Sequence, residues 1–213
     1  HLAFTVYLLP AVSLLLLLAL RSAKPAPEPE ESDQLRQSKI NWMRLTGLSV
    51  LYFIITFTTL VITFYLSFLL EKYRFPQGFS SVMISLFFLA IMLPGLALNA
   101  IIRRVRSMTI FVSLLLIVVG LLLVGTIPDI PLMTLGVILT GIGYGVLQPI
   151  IYDKAATNSP PHLSTLALSL VMVVNYLAIL VAPFIIDGID WLFTTKSYAF
   201  PFLFNGLLTL VMA

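Results

Sequence analysis

The 213-residue chain has no cysteine and very little charge: 10% of its residues are Asp, Glu, Lys or Arg, against about 25% in an average soluble domain. Without cysteine there is no disulfide framework, no thiolate nucleophile and no thiolate metal site. His162 has no carboxylate at ligand spacing, so no metal site is expected. No Gly-x-Ser-x-Gly, Walker or His-Glu-x-x-His pattern occurs, which leaves no enzyme reading. What remains is apolar. Hydrophobic residues make up 60% of the chain and the mean hydropathy is +1.06. This excludes a soluble enzyme, a nucleic-acid binder and a disordered tail. The pI of 9.3 rests on a net charge of only +3, and in a membrane protein a small basic excess mostly reports cytoplasmic loops. Position 1 is His, and Gly206 to Ala213 end inside an apolar run; the expectation is a piece of a longer chain.

A membrane-crossing helix takes about 20 mostly apolar residues. Seven stretches come close: 2–20, 47–70, 79–102, 108–127, 130–152, 163–186 and 198–213. None contains Asp, Glu, Lys or Arg. The first lacks a preceding basic region and a small-residue cleavage site, which favours a true span over a signal peptide. Arg21, Lys24, Arg36, Lys39, Arg44, Arg103, Arg104, Arg106 and Lys154 fall on one side of the resulting zigzag, and Lys72, Arg74 and Lys196 on the other. The positive-inside rule then places 22–46, 103–107 and 153–162 in the cytoplasm. The connections differ in kind. Pro25, Pro27 and Pro29 alternate through an acidic stretch, which favours an extended, solvated linker. Residues 35–45 mix Leu35, Trp42, Met43 and Leu45 with Arg36, Lys39 and Arg44, as a short interfacial helix or a solvated loop would. The outer segment 187–197 is the longest of the other connections, with Trp191 and Tyr198 as interfacial anchors. The remaining loops are short, so successive helices are expected to be antiparallel neighbours.

After the third span the chain reads Gly95-Leu96-Ala97-Leu98-Asn99-Ala100-Ile101-Ile102-Arg103-Arg104. This resembles the Gly-x-x-x-Asp-Arg-x-Gly-Arg-Arg/Lys loop motif of the major facilitator superfamily. Gly95, Arg103 and Arg104 match. Asn99 stands for the Asp, Ala100 for the Arg and Ile102 for the second Gly. The fifth span, with Gly136, Gly141, Gly143, Gly145 and then Gln148-Pro149, is similar to the Gly-rich tenth helix of that family. Ala182-Pro183 and Asp187-Gly188 look like its eleventh helix. The resemblance implies an all-α polytopic membrane protein: residues 1–21 as helix 6, 22–46 as the central loop, and 47–213 as the six-helix second half, helices 7–12, built from two three-helix repeats. The resemblance is to the drug-efflux type. The repeat leaves one faint echo, Ala90-Ile91 before Pro94 and Ala178-Ile179 before Pro183.

Site residues follow from spacing and from the resemblance together. Tyr52, Thr56, Thr59 and Thr63 fall at i, i+4, i+7 and i+11, one face of a helix. Such a hydroxyl stripe either bonds its own i−4 carbonyls or lines a wet cavity. In the family, helices 7, 8, 10 and 11 line the central cavity, so the resemblance points the stripe there. Tyr144, Gln148 and Tyr152 share one face of the fifth span, and Asn175 and Tyr176 lie mid-way along the sixth. Each can meet a substrate or bond between helices. Gly95, Asn99, Arg103 and Arg104 are either a conformational latch or topology determinants only. Gly141 and Gly145 share a face, and with Pro149 and Pro183 they serve packing or bending. Asn205 suits an interhelical bond. Asp153-Lys154 reads as a local ion pair, a helix-end charge or a gate.

The spans hold no Arg or Lys for phosphate or carboxylate recognition and no acid for a proton relay. The expected function is the second half of a secondary transporter, exporting neutral, amphipathic or lipophilic molecules by proton-coupled alternating access. Its acidic switch would lie in a first six-helix half, and the piece alone would not transport. A sugar-type permease of the same superfamily is the alternative. A seven-helix receptor is the distant one, lacking both a retinal lysine in the last span and cysteines to tie outer loops. The expected partners are the bilayer of a bacterial inner membrane, the first half, a small-molecule substrate and a second copy pairing through an open cavity face. No cofactor and no nucleic acid are expected.

Overall fold

A computed structural model describes residues 40–76, 78–105, 108–192 and 197–213. The expected first span 2–20 and the acidic linker lie outside the described residues. The described chain is helical, in the order α1 (Trp42–Lys72), α2 (Phe79–Val105), α3 (Thr109–Thr126), α4 (Ile130–Thr157), a 3-10 turn (Pro161–Leu163), α5 (Ser164–Leu192) and α6 (Phe200–Met212). Five of these helices are long and apolar enough to cross a membrane. The sixth, α6, has 13 residues, about 20 Å at 1.5 Å per residue, which is short of a ~30 Å hydrocarbon core.

Helices α1, α4 and α5 run past the hydropathy boundaries, and polar residues sit at helix ends as caps. Asn41 accepts the Arg44 amide through its side chain at 3.2 Å, so α1 starts at Trp42, and Trp42 to Leu45 form its first turn instead of closing a separate interfacial helix. Asp129 does the same for the Leu132 amide at 3.3 Å, with Pro131 at the start of α4. At the other end of α4, Asp153 and Lys154 continue the helix to Thr157. Helix α5 runs on to Leu192 and absorbs Asp187 and Trp191. The outer loop expected over 187–197 is correspondingly shorter. Pro94, Pro149 and Pro183 each sit inside an unbroken helix.

Consecutive helices are all in contact, as the short loops imply, but of the consecutive pairs only α3 and α4 rank among the most extensively packed. The closest packing is α3 on α4, then α2 on α4, α3 on α6 and α1 on α5. A symmetry organises this. Exchanging α1 with α4, α2 with α5 and α3 with α6 carries each pair of packed helices onto another packed pair. The α1–α4 and α3–α6 contacts map onto themselves. Two three-helix repeats are therefore present in the architecture, and Pro94 and Pro183 fall in exchanged helices.

Glycine explains why α4 takes two neighbours so closely. A β-carbon on Gly141 would lie 2.7 Å from the Phe87 carbonyl oxygen and the Ala90 β-carbon of α2. One on Gly145 would collide with the Ile91 carbonyl. In a bilayer, lipid tails are as apolar as Leu, so helix association rests on such close van der Waals approach more than on the hydrophobic effect. Helix α1 is packed differently. It is bulky, with Ile55, Val61, Ile62, Leu66 and Leu69 fully buried. The outer faces of α2 and α5 are open: 22% and 28% of their spans are buried, against 56% for α1.

Candidate functional site

Polar side chains converge where α1, α4 and α5 meet. Tyr52 and Thr56 are one helical turn apart on α1, as Tyr144, Gln148 and Tyr152 are on α4. The Tyr52 and Tyr152 hydroxyls are 3.0 Å apart, and their rings meet edge to face at 5.5 Å. Tyr144 stacks on Tyr52 with ring centroids 6.4 Å apart, and its hydroxyl donates to the Tyr52 hydroxyl at 3.5 Å. The Thr56 hydroxyl donates to Asn175 Oδ1 at 2.6 Å and lies 3.2 Å from the Tyr144 hydroxyl. Gln148 donates to the Tyr152 hydroxyl at 3.5 Å.

The cluster has a back and a front. Tyr52, Thr56 and Asn175 are buried. Tyr144, Gln148 and Tyr152 are half-buried. The α4 side chains are therefore accessible, while the α1 hydroxyls hold Tyr144 and Tyr152 in place and Asn175 holds Thr56. A tyrosine hydroxyl and an amide can each donate and accept, so the front offers hydrogen bonds and aromatic faces without formal charge. The α1–α4 contact is one of the two that the internal symmetry maps onto itself, so the cluster sits where the two repeats meet.

The structure does not bring the other predicted residues here. Thr59 shares the α1 stripe, but its hydroxyl donates to the Ile55 and Thr56 carbonyls of its own helix at 2.9 and 3.1 Å. The Thr63 hydroxyl is buried with no hydrogen-bond partner among the described residues. Tyr176 is 67% exposed: one residue on from Asn175 is a 100° turn of the helix, which carries it out of the cluster. Asn205 is buried, but its amide donates to the Pro201 carbonyl of its own helix at 2.7 Å, not across helices. A β-carbon on Gly95 would meet nothing within 4 Å. For Asn99, Arg103 and Arg104 the helical backbone of α2 is described and the side chains are not. Asp153 and Lys154 lie in the last turns of α4, on its outer surface, and no group that could hold a metal ion occurs among the described residues.

One polar pair escapes a reading of the sequence. The Tyr65 hydroxyl of α1 donates to Asp187 Oδ1 at 2.5 Å and reaches the Pro183 carbonyl at 3.4 Å. Asp187 lies in α5, a helix long and apolar enough to cross a membrane, rather than in the outer segment expected over 187–197. The hydropathy boundary falls at 186, just before the carboxylate. The available signal was the i, i+4 spacing of Pro183 and Asp187, which puts both on one face.

The model of the Major Facilitator Superfamily matches residues 1–183. No curated protein and no solved structure matches the chain.

Proposed function

The chain belongs to the major facilitator superfamily, a family of transporters, and on that premise we propose that α1–α6 form the second half of a secondary transporter. The receptor alternative gives way to this family. The substrate reading is a neutral, amphipathic or lipophilic molecule. The observation that carries it is the uncharged front of Tyr144, Gln148 and Tyr152, backed by Tyr52, Thr56 and Asn175. A phosphate or carboxylate substrate would call for a guanidinium or ammonium there, and α4 offers none between Ile130 and Tyr152. An amphipathic solute is served by hydrogen bonds at one end and ring faces at the other.

Transport would proceed by alternating access, with this six-helix unit rocking against a first one about a mid-membrane site. Export driven by a proton gradient is the favoured direction. The principal proton-binding residues are assigned to the first half, since the cluster itself is uncharged. Gly141 and Gly145 would serve as packing surfaces that let α4 move against α2 as a rigid unit, with Pro149 and Pro183 setting fixed bends. Asn99, Arg103 and Arg104 would bias the inward–outward equilibrium from the cytoplasmic side.

Proteoliposomes test this. The 213-residue chain alone, and the same chain preceded by a first six-helix half, are reconstituted and loaded with a neutral lipophilic dye under an imposed pH gradient. The expected result is gradient-dependent dye movement only with both halves. Equal transport by the 213-residue chain alone would reject the half-transporter reading. Movement of an anionic dye in preference to the neutral one would reject the substrate reading.

A further inference from the structure

The helix ends between α1 and α2 enclose a groove unrelated to the polar cluster. Its volume is about 390 Å³, and Ser67, Glu71, Arg74, Phe75, Pro76 and Ser80 are among its lining residues. Its shape follows from how α1 stops. The Arg74 amide donates to the Glu71 carbonyl at 2.9 Å and the Phe75 amide to the Leu70 carbonyl at 3.1 Å. That pair of bonds is a Schellman motif, with Arg74 at the position usually given to glycine. Arg74 has φ +57° and is the only described non-glycine residue with positive φ. A side chain there costs about 1 kcal/mol relative to glycine. The strained turn places a guanidinium three residues from the Glu71 carboxylate on one rim. Neither side chain forms an ion pair or hydrogen bond with a described residue.

The groove lies at headgroup depth. The uncharged run of α1 ends at Leu70, and Lys72 is its last helical residue. The same end carries an aromatic belt of the kind that marks a membrane–water interface. Tyr73 and Phe75 have ring centroids 6.0 Å apart, and Phe68 stacks on Tyr198 at 6.1 Å. By the positive-inside reading this is the outer face.

We propose that this groove binds the headgroup of a zwitterionic phospholipid bearing a primary ammonium, a phosphoethanolamine lipid, with its phosphate on Arg74 and its ammonium on Glu71. A planar guanidinium matches two phosphate oxygens. A primary ammonium brings three donors, which Glu71 and the Ser67 and Ser80 hydroxyls can accept. A quaternary choline has none of these donors. A glycerol headgroup offers no cation to set against the Glu71 carboxylate. Leu70, Phe75 and Pro76 supply the apolar wall that an acyl chain follows into the bilayer. The same chemistry exists in free phosphoethanolamine; the aromatic belt and apolar wall favour the lipid. This inference stands apart from the transport reading and survives its failure.

Native mass spectrometry of the detergent-purified chain, titrated with dioleoyl phosphatidylethanolamine, phosphatidylcholine or phosphatidylglycerol, tests the site. Retention of the ethanolamine lipid is expected to exceed that of the other two about tenfold, as one charge-assisted contact implies. E71Q should lower retention of the ethanolamine lipid far more than that of the choline lipid and so erase most of the preference between them. R74G should lower retention of all three while raising thermal stability, because glycine suits the turn; that gain separates loss of the site from loss of fold. Equal retention of the three lipids, or retention unchanged in both variants, overturns the proposal. Displacement of the ethanolamine lipid by millimolar free phosphoethanolamine would overturn the lipid as the occupant and assign the site to a soluble zwitterion.

Discussion

Helices α1 and α4 occupy exchanged positions in the two repeats, yet they are built oppositely. Helix α1 is thick: its core-facing positions carry Ile, Leu, Val and two buried tyrosines. Helix α4 is thin on two sides, where Gly136 and Gly143 admit α3 and Gly141 and Gly145 admit α2. The polar chemistry divides in the same way. The α1 hydroxyls are buried and locked, while the α4 phenols and amide stay half open. One contact topology thus carries a rigid wall and a presenting surface. The repeat dictates where the helices go, and side-chain size decides which of the two keeps its polar groups open.

Substitutions that exchange these characters should show it. The largest effect is expected at Gly145. A β-carbon there meets the Ile91 backbone, which cannot swing away as a side chain could, so Gly145→Ala should destabilise by about 1–3 kcal/mol. The same change at Gly47 of α1, where nothing lies within 4 Å, should instead stabilise by about 0.5–1 kcal/mol through helix propensity. Opposite signs in unfolding from mixed micelles would establish the contrast, and equal signs would break it. Next in size is the bond between α1 and α5. A double-mutant cycle of Thr56→Val with Asn175→Leu should give a coupling of about 0.6–2 kcal/mol. A coupling indistinguishable from zero would mean that the back of the cluster is not held across helices. Smallest is Thr63→Val. It removes a buried hydroxyl that has no partner among the described residues, so stability should hold or rise by up to about 1 kcal/mol. A clear loss would show that Thr63 is engaged.

The five membrane-crossing helices were legible in the sequence because a run of apolar residues without charge is a long, strong signal. The starts of α2 and α4 and both ends of α3 were legible to within a residue; the start of α1 at Trp42 and the continuation of α4 and α5 past Asp153 and Asp187 were not, because a hydropathy window ends at the first charges. The cluster was legible in part. Helical spacing correctly put Tyr52 with Thr56, and Tyr144 with Gln148 and Tyr152. Spacing could not separate Thr56 from Thr59, because both occupy one face and only the neighbour opposite decides whether the hydroxyl reaches across or folds back on its own helix. Nor could it meet Tyr65 with Asp187, which are 122 residues apart in the chain. The Arg74 turn was invisible for another reason: arginine is a poor guess for a left-handed position, and a sequence reading assigns that place to glycine.

The presenting role of α4 is tested most directly by equilibrium binding. A neutral lipophilic dye is titrated against the detergent-purified chain and against the double variant Gln148→Ala/Tyr152→Phe, with Tyr176→Phe as the control. Loss of two front hydrogen-bonding groups should weaken binding about tenfold or more, while Tyr176→Phe, outside the cluster, leaves the affinity unchanged. Unaltered affinity in the double variant, or a loss at Tyr176 of equal size, would contradict the assignment of the α4 front as the solute-facing wall.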